Sequence, residues 1–221
     1  MGIIQDIFTY PFRGSGKYML LIGAALSALS EWVQFAPMFG VIASLILGAY
    51  LIATYFEIIE TTATGSNEAP MFPNVSNVWE DLVWPMLKSV IVFFASFAPV
   101  LIYTYGVDEA HQQNGLVFAL LGFGAIYFPM AMMAVVVLGY LGAMSPHIVF
   151  PAIIRAGGLY WLAVFLFALL FMFEVFLGGL VAGIPIAGTL IMAAVGIVVM
   201  MLNGRILGII YRERREEMGW I

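Results

Sequence analysis

The sequence predicts an all-α membrane protein of six transmembrane helices, and three observations lead to that prediction. Of its 221 residues, 63% are hydrophobic and only 10% are charged, whereas a soluble domain has roughly 45–50% apolar and about 25% charged residues. The mean hydropathy is +1.05, so lipid rather than water must cover most of the surface. The apolar residues fall into six runs near the length of about 20 residues that crosses a bilayer, and the Lys and Arg residues lie near the ends of these runs.

The six predicted spans follow one another along the chain. They cover residues 18–34, 37–59, 89–105, 115–144, 159–180 and 186–202. The first is about 25 Å long at 1.5 Å per residue, so it barely crosses the roughly 30 Å hydrocarbon core. Pro99 and Pro129 lie inside the third and fourth spans, where a proline is expected to kink the helix.

The spans pair into three predicted hairpins within a single membrane domain. Residues 1–59 form the first hairpin, residues 60–144 hold a polar loop, an interfacial helix and the second hairpin, and residues 145–204 hold the third. The last segment, 205–221, mixes basic and acidic residues with apolar ones and is predicted to form a cytoplasmic amphipathic tail. Each hairpin follows a short interfacial helix or collar.

The first and third collars share a local pattern that suggests an internal repeat. Arg-x-x-Gly-x-Tyr occurs at residues 13–18 and again at residues 155–160. The second collar has only Pro85 and Lys88 in common with them, and Ser76 or Asn77 is expected to cap its helix with Glu80 as the capping partner. Two interpretations stay open: a threefold duplication of a collar-plus-hairpin unit, or the general preference of membrane-entering helices for Pro, Gly, a cation and an aromatic residue.

Small residues four apart suggest faces on which helices pack closely. The groups are Gly40, Ser44 and Gly48 in the second span, Gly179 at the end of the fifth with Gly183 just after it, and Gly204 and Gly208 after the sixth.

The distribution of cations predicts the orientation. With six spans, every Lys and Arg lies on one side of the membrane: Arg13, Lys17, Lys88, Arg155, Arg205, Arg212, Arg214 and Arg215. The opposite side carries acidic residues and His111 but no cation. The positive-inside rule then places both termini and all three collars in the cytoplasm.

Glu174 is the candidate functional residue because it lies about 15 residues inside the fifth span. An ionisable group in hydrocarbon is costly and points to function, so Glu174 is a possible site for a proton or cation. The structural alternative is that it is protonated or bonds a hydroxyl group such as that of Thr189 or of a Tyr, and only fixes helix packing. A further alternative is that it lies high enough to reach the outer interface.

Several chemistries are excluded by what the sequence lacks. It has no cysteine, no lysine within a span, and no metalloprotease, serine-hydrolase or phosphate-binding signature. His111 and His147 are predicted on opposite faces of the membrane, so they cannot share a haem or a metal. We therefore expect no catalytic residues, no cofactor, no metal and no enzymatic activity.

The expected partners are the lipid bilayer and other membrane protein subunits or further copies of this chain. The net charge of −5 argues against nucleic acid. Cations near a membrane surface can hold anionic lipid headgroups, and the candidate lipid contacts are Arg13, Lys17, Arg155, Arg212, Arg214 and Arg215. The charges of the tail also alternate in sign, which fits a helix whose ion pairs are internal.

Two segments, Tyr10-Pro11-Phe12-Arg13 and GRILGIIYRERREEMGW, resemble a family of uncharacterised bacterial and archaeal membrane proteins, domain of unknown function 4013. Its members similarly have an aromatic-Pro-Phe-Arg collar and a polar, proline-containing segment before a middle hairpin, which corresponds to residues 68–81. The resemblance implies a multipass protein of the prokaryotic cytoplasmic membrane and no known activity.

Two functions from different classes fit the sequence. The first is a non-catalytic accessory or scaffold subunit of a larger membrane assembly, or a protein that organises lipid. The alternative is a small transporter or channel that uses Glu174 and the proline-containing second hairpin.

Overall fold

The fold is all-helical throughout the residues that the computed structural model describes, which are 2–33, 37–70, 75–106 and 115–220. Seven α-helices follow one another: α1 (Ile3–Thr9), α2 (Gly16–Val33), α3 (Pro37–Ala63), α4 (Trp84–Tyr105), α5 (Gly115–Leu138), α6 (Pro146–Val181) and α7 (Pro185–Met218). Short 3-10 turns at Tyr10–Phe12 and Leu141–Met144 precede α2 and α6.

Five helices are long and apolar enough to cross a membrane: α3, α4 with the turn before it, α5, α6 and α7. The prediction of an all-α chain with several helices long and apolar enough to span a membrane is therefore confirmed for the described residues. The apolar part of α2, Gly16–Leu29, is shorter, as expected from the marginal length of the first predicted span. The connection after α2, with residues 34–36, lies outside the described residues, as does His111.

Helix α7 lies at the centre of the bundle. It packs against α2, α3 and α6 along much of its length and also contacts α1 and α5, while α4 packs mainly on α5. The main core lies where α3, α5, α6 and α7 meet, and its fully buried members include Met133, Tyr160 and Leu207.

Glycines bring α3 and α7 into close contact. A Cβ atom added to Gly204 would lie 2.8 Å from Cγ2 of Ile58, and one added to Gly208 would lie 2.8 Å from the carbonyl oxygen of Ile59. These two glycines therefore form the close-packing face that their spacing predicts. The same prediction is wrong for Gly48, Gly179 and Gly183, because nothing lies within 4 Å of a Cβ placed there.

The second collar is not a separate helix. A single π turn, Trp79–Val83, continues directly into α4. Pro85, which has no N–H to donate, is the second residue of α4, a position where a helix tolerates proline. The side-chain oxygen of Asn77 accepts a hydrogen bond from the backbone N–H of Trp79 (3.1 Å) as expected. The carboxylate that reaches back is that of Asp81, 2.8 Å from the N–H of Asn77, and not that of Glu80.

The third collar is a helix that a single non-helical residue separates from the membrane-length helix after it. Within α6 the backbone leaves the helical region at Gly157, where φ is 61° and ψ is −140°. Only glycine adopts this conformation without strain. The segment before Gly157 can thus lie at a different angle from the long apolar segment that follows.

The two Arg-x-x-Gly-x-Tyr sequences have different surroundings. Tyr18 is 59% exposed, whereas Tyr160 is fully buried and donates a hydrogen bond to the carbonyl oxygen of Ile126. A shared sequence pattern therefore gives two different structural roles here, which favours the general preference of membrane-entering helices over a strict repeat.

Candidate functional site

Polar side chains inside the bundle gather in two places. One is an open cleft bounded by α3, α4, α5, α6 and α7, which contains Glu174, and the other is a buried cluster around Arg205. Sequence reasoning identified the first and missed the second.

The cleft has a volume of about 650 Å³. Its polar members are Glu174, Asn203, Ser89 and Tyr55, and its walls are otherwise apolar or glycine: Leu51, Ile52, Val90, Phe93, Phe94, Phe128, Met132, Gly196, Val199 and Met200. The α7 members recur at intervals of three and four residues, so they form one face of that helix.

Glu174 lies opposite Gly196 on α7, since a Cβ atom at Gly196 would be 3.8 Å from Oε1 of Glu174. Gly196 follows Pro185, the first residue of α7, by 11 positions and precedes Arg205 by nine, which correspond to about 16 Å and about 13 Å along the helix. Glu174 is therefore near the middle of the apolar length of α7 and not at its outer end.

The carboxylate of Glu174 has no hydrogen bond or ion pair with any described residue. The structure therefore shows no bond between Glu174 and the hydroxyl of Thr189, and the choice between an ion site and a packing role for Glu174 stays a prediction. Seven residues along the same face of α7, Oδ1 of Asn203 is buried and also has no hydrogen-bond partner among the described residues. The cleft is therefore lined by one carboxylate without a donor, and the buried amide oxygen of Asn203 lies behind its wall.

Arg205 is completely buried. Its guanidinium donates to the carboxylate of Asp6 (2.8 Å), to Oγ1 of Thr62 (3.3 Å), to Oδ1 of Asn67 (3.2 Å) and to the carbonyl oxygen of Ser66. The planar fork of arginine matches several fixed acceptors at once. It thereby joins α1, α3, the loop after α3 and α7 at one point.

Aromatic and charged neighbours complete this cluster. The guanidinium of Arg205 lies 4.8 Å from the ring centroid of Tyr10, which adds a cation–π interaction. Burial raises the pKa of Tyr10 to about 12, so its hydroxyl stays neutral. The other carboxylate oxygen of Asp6 is 2.5 Å from the guanidinium of Arg13.

The balance of forces on Asp6 keeps it charged. Burial by itself would raise the pKa of this carboxyl, but hydrogen bonds from Arg205 and Arg13 and the positive charge of both outweigh burial, and the pKa is lowered. We refer to Asp6, Tyr10, Arg13, Thr62 and Arg205 as the Arg205 cluster.

Five of the six predicted lipid-binding cations have partners within the protein. Lys17 lies 5.2 Å from the ring of Tyr18, Arg155 donates to the carbonyl oxygen of Met218 (3.2 Å), and Arg13 binds Asp6. In the tail, Arg212 pairs with Glu213 (3.3 Å) and Arg214 with Glu217 (2.6 Å), while Arg215 is exposed. The internal ion pairs agree with the second interpretation of the tail, and lipid binding by these residues stays a prediction.

The tail packs onto the rest of the chain. Helix α7 continues without a break to Met218 and ends at Gly219, whose φ is 74°. Met218 and Trp220 are buried in the main core, and the hydroxyl of Tyr211 donates to the carbonyl oxygen of Trp220 (3.1 Å). This C-terminal segment is therefore an integral part of the bundle.

No group of three or more acidic or histidine side chains suited to a metal ion occurs in the described ranges. His147 is exposed, 3.5 Å from the hydroxyl of Ser145.

A signal for the Arg205 cluster is present in the sequence. Arg205 is followed by the apolar residues ILGII, a pattern that predicts a buried position for this arginine. The pairing with Asp6 has no local signature, because the two residues are 199 positions apart.

Within the described residues, these observations define an all-helical protein with at least five helices suited to a membrane, a carboxylate in a cleft between such helices, and a buried arginine cluster. Comparisons with protein families, with curated proteins and with solved structures find no match to this chain.

Proposed function

We propose that the protein is a non-catalytic accessory or scaffold subunit of a larger membrane assembly in the prokaryotic cytoplasmic membrane. It spans the bilayer six times, with both termini and the cation-bearing ends of the helices in the cytoplasm. The exposed surface of α6 carries this proposal.

That surface is long, apolar and uncovered. None of the residues in the most apolar stretch of α6 is buried. Its exposed side chains are mostly aromatic or otherwise large: Phe165, Leu169, Phe171, Met172, Phe173, Val175, Phe176 and Leu180. Aromatic residues and Met are enriched where proteins associate, so this face fits a neighbouring membrane helix as well as lipid.

Purification in a mild detergent tests the proposal. A complex with stable additional subunits supports it, and replacing Phe165, Met172 and Phe176 together by Ala should release them. The matched control replaces Val41, Leu45 and Ile46, which are equally exposed on α3, and should leave the complex intact. A protein that is always recovered alone from native membranes would contradict the accessory role.

A second candidate, a small transporter, is supported by the cleft around Glu174. A carboxylate near the middle of a span, without a protein partner and beside open space, has the features of an ion or substrate site. Flux that continues unchanged in Glu174→Gln would count against this candidate.

A further inference from the structure

We infer that the cleft around Glu174 binds an amphiphilic organic cation, with the positive group at Glu174 and the apolar part against the aromatic wall. This inference names the class of ligand for the second candidate function, a small transporter. Transport of the cation rests on that candidate function, whereas binding of the cation does not. Binding itself is tested separately.

The charge of the cleft selects a cation. Glu174 offers carboxylate oxygen atoms without a donor, and no Lys, Arg or His is among the lining residues. The nearest arginine on α7, Arg205, is fully committed to the cluster described above. An anionic ligand would meet repulsion from Glu174, whereas a cation supplies the missing counter-charge.

The wall of the cleft selects an organic cation. Phe93 and Phe94 on α4 and Phe128 on α5 line it, and the rings of Phe93 and Phe128 meet edge to face at 6.1 Å. Aromatic rings attract organic cations through their π faces and bind apolar groups by burial of surface.

The spacing of the acceptors excludes one small metal ion shared between them. Gly196, beside Glu174, and Asn203 are seven residues apart on α7, or about 10 Å. Metal ligands lie at about 2.0–2.6 Å from the ion, so the two side chains cannot meet at one ion.

The size of the cleft favours a small molecule over a partner helix. Its volume of about 650 Å³ lies within the range of about 300–1,000 Å³ for small-molecule pockets. A transmembrane helix about 10 Å wide and 30 Å long occupies about 2,400 Å³, several times more than the cleft holds.

Gly196 keeps the space beside the carboxylate open. A methyl group there would only touch Oε1 of Glu174, at 3.8 Å, so Gly196→Ala is expected to be tolerated. A longer side chain, as in Gly196→Leu, would extend into the position of the bound cation.

Equilibrium binding of radiolabelled tetraphenylphosphonium to the full chain in lipid nanodiscs tests the inference, with empty nanodiscs as the background. We expect saturable binding at one site per chain, competed by benzyldimethyldodecylammonium. Glu174→Gln should weaken binding at least tenfold, and Gly196→Leu should do the same. Glu217→Gln is the matched control, since Glu217 is an exposed carboxylate paired with Arg214, and it should bind as the wild type does.

Thermal unfolding and gel filtration of each variant separate lost binding from lost folding. If Glu174→Gln does not fold, Gly196→Leu together with competition between protons and the probe at low pH provides the test. No saturable binding to the wild type, or equal binding by Glu174→Gln, would overturn the inference. So would a subunit that occupies the cleft and is released by Glu174→Gln.

The hypothesis of a cation-binding site and the hypothesis of transport are contradicted by different results. Binding without flux in proteoliposomes would remove transport and keep the site. Absence of binding would remove the site and leave the accessory role, which depends on the α6 surface, unaffected.

Discussion

Arg205 shows how a single charged residue can be buried in an apolar bundle. Its donors meet acceptors from three other segments and its charge is balanced by Asp6. Removing one member of such a buried pair leaves the other without compensation and typically destabilises by about 3–5 kcal/mol.

We therefore expect Arg205→Leu to lower the free energy of unfolding by about 3 kcal/mol. Arg205→Lys should have a smaller effect, because it keeps the charge and loses the fork of donors. Thermal unfolding followed by tryptophan fluorescence in detergent measures both.

Arg214→Leu is the control for this comparison, because the ion pair of Arg214 with Glu217 is largely exposed and such pairs contribute at most about 1 kcal/mol. Equal midpoints for Arg205→Leu and Arg214→Leu would contradict the structural importance of the cluster.

The pH dependence of stability should show how much the charge of Asp6 stabilises the fold. A carboxyl whose pKa is lowered on folding contributes stability that is present above its unfolded pKa and is lost as pH falls toward the folded value. The stability difference between the wild type and Asp6→Asn should thus be constant above about pH 5 and shrink below the ordinary aspartate value of 3.8. A difference that stays constant down to pH 2.5 would show that the Asp6 charge does not stabilise the fold.

Sequence reasoning reached Glu174 and not the Arg205 cluster for a physical reason. The cost of a carboxylate in an apolar run can be read locally, whereas the pairing of Arg205 depends on a helix almost 200 residues earlier in the chain. Asp6 is only seven residues from Arg13, so this shorter-range pairing was within reach of the sequence and was overlooked.

Among the helices, the contact between α3 and α7 depends on the absence of side chains on α7. At Gly208 a methyl group would lie 2.6 Å from Cγ2 of Thr62, and both helices would have to separate. The spacing of small residues by four positions predicted the packing face of α7 correctly. It failed at Gly48, because the same spacing also occurs on helix faces that contact no other helix.

We expect Gly208→Ala to destabilise the protein by about 1–3 kcal/mol through overpacking. Gly48→Ala makes the same chemical change in α3 where there is free space, and should be neutral or stabilise by up to about 1 kcal/mol. Unfolding followed by circular dichroism compares the two, and similar losses in both would show that α3 and α7 do not pack as described.

The break in α6 provides a second matched pair. Neither Gly157 nor Gly158 has an atom within 4 Å of an added Cβ, but only Gly157 has a positive φ. Gly157→Ala should therefore destabilise by about 1–3 kcal/mol through backbone strain alone, and Gly158→Ala should not. Equal stability of both variants would mean that α6 is straight in solution.

For the molecule as a whole, the hydropathy of the sequence was sufficient to predict helices that are long and apolar enough to cross a membrane, because both properties follow from composition and run length. The central position of α7 was not predicted, since every span is similarly apolar and hydropathy does not tell which helices meet. The central position of α7 is determined by the close packing at Gly204 and Gly208 and by the Arg205 cluster.

The absence of native cysteine permits a direct test of orientation with single cysteines and a membrane-impermeant maleimide. Gln34→Cys, Gly115→Cys and Gly183→Cys should be labelled from the outside of intact cells. Ser76→Cys and Glu213→Cys should be labelled only after the membrane is opened, because they lie on the predicted cytoplasmic side. Labelling of Glu213→Cys in intact cells would rule out the orientation, and protection of Gln34→Cys would rule out the first span.

The bond between Asp6 and Arg205 also determines when, during synthesis, the first helix can dock onto the rest of the protein. A ribosome adding about 5–20 residues per second needs about 10–40 s to make the intervening chain, and throughout that period the amino-terminal helix has no guanidinium on α7 to hold it. Nascent chains arrested before position 205 should therefore expose their first ten residues to protease, and release of the finished chain should end that sensitivity.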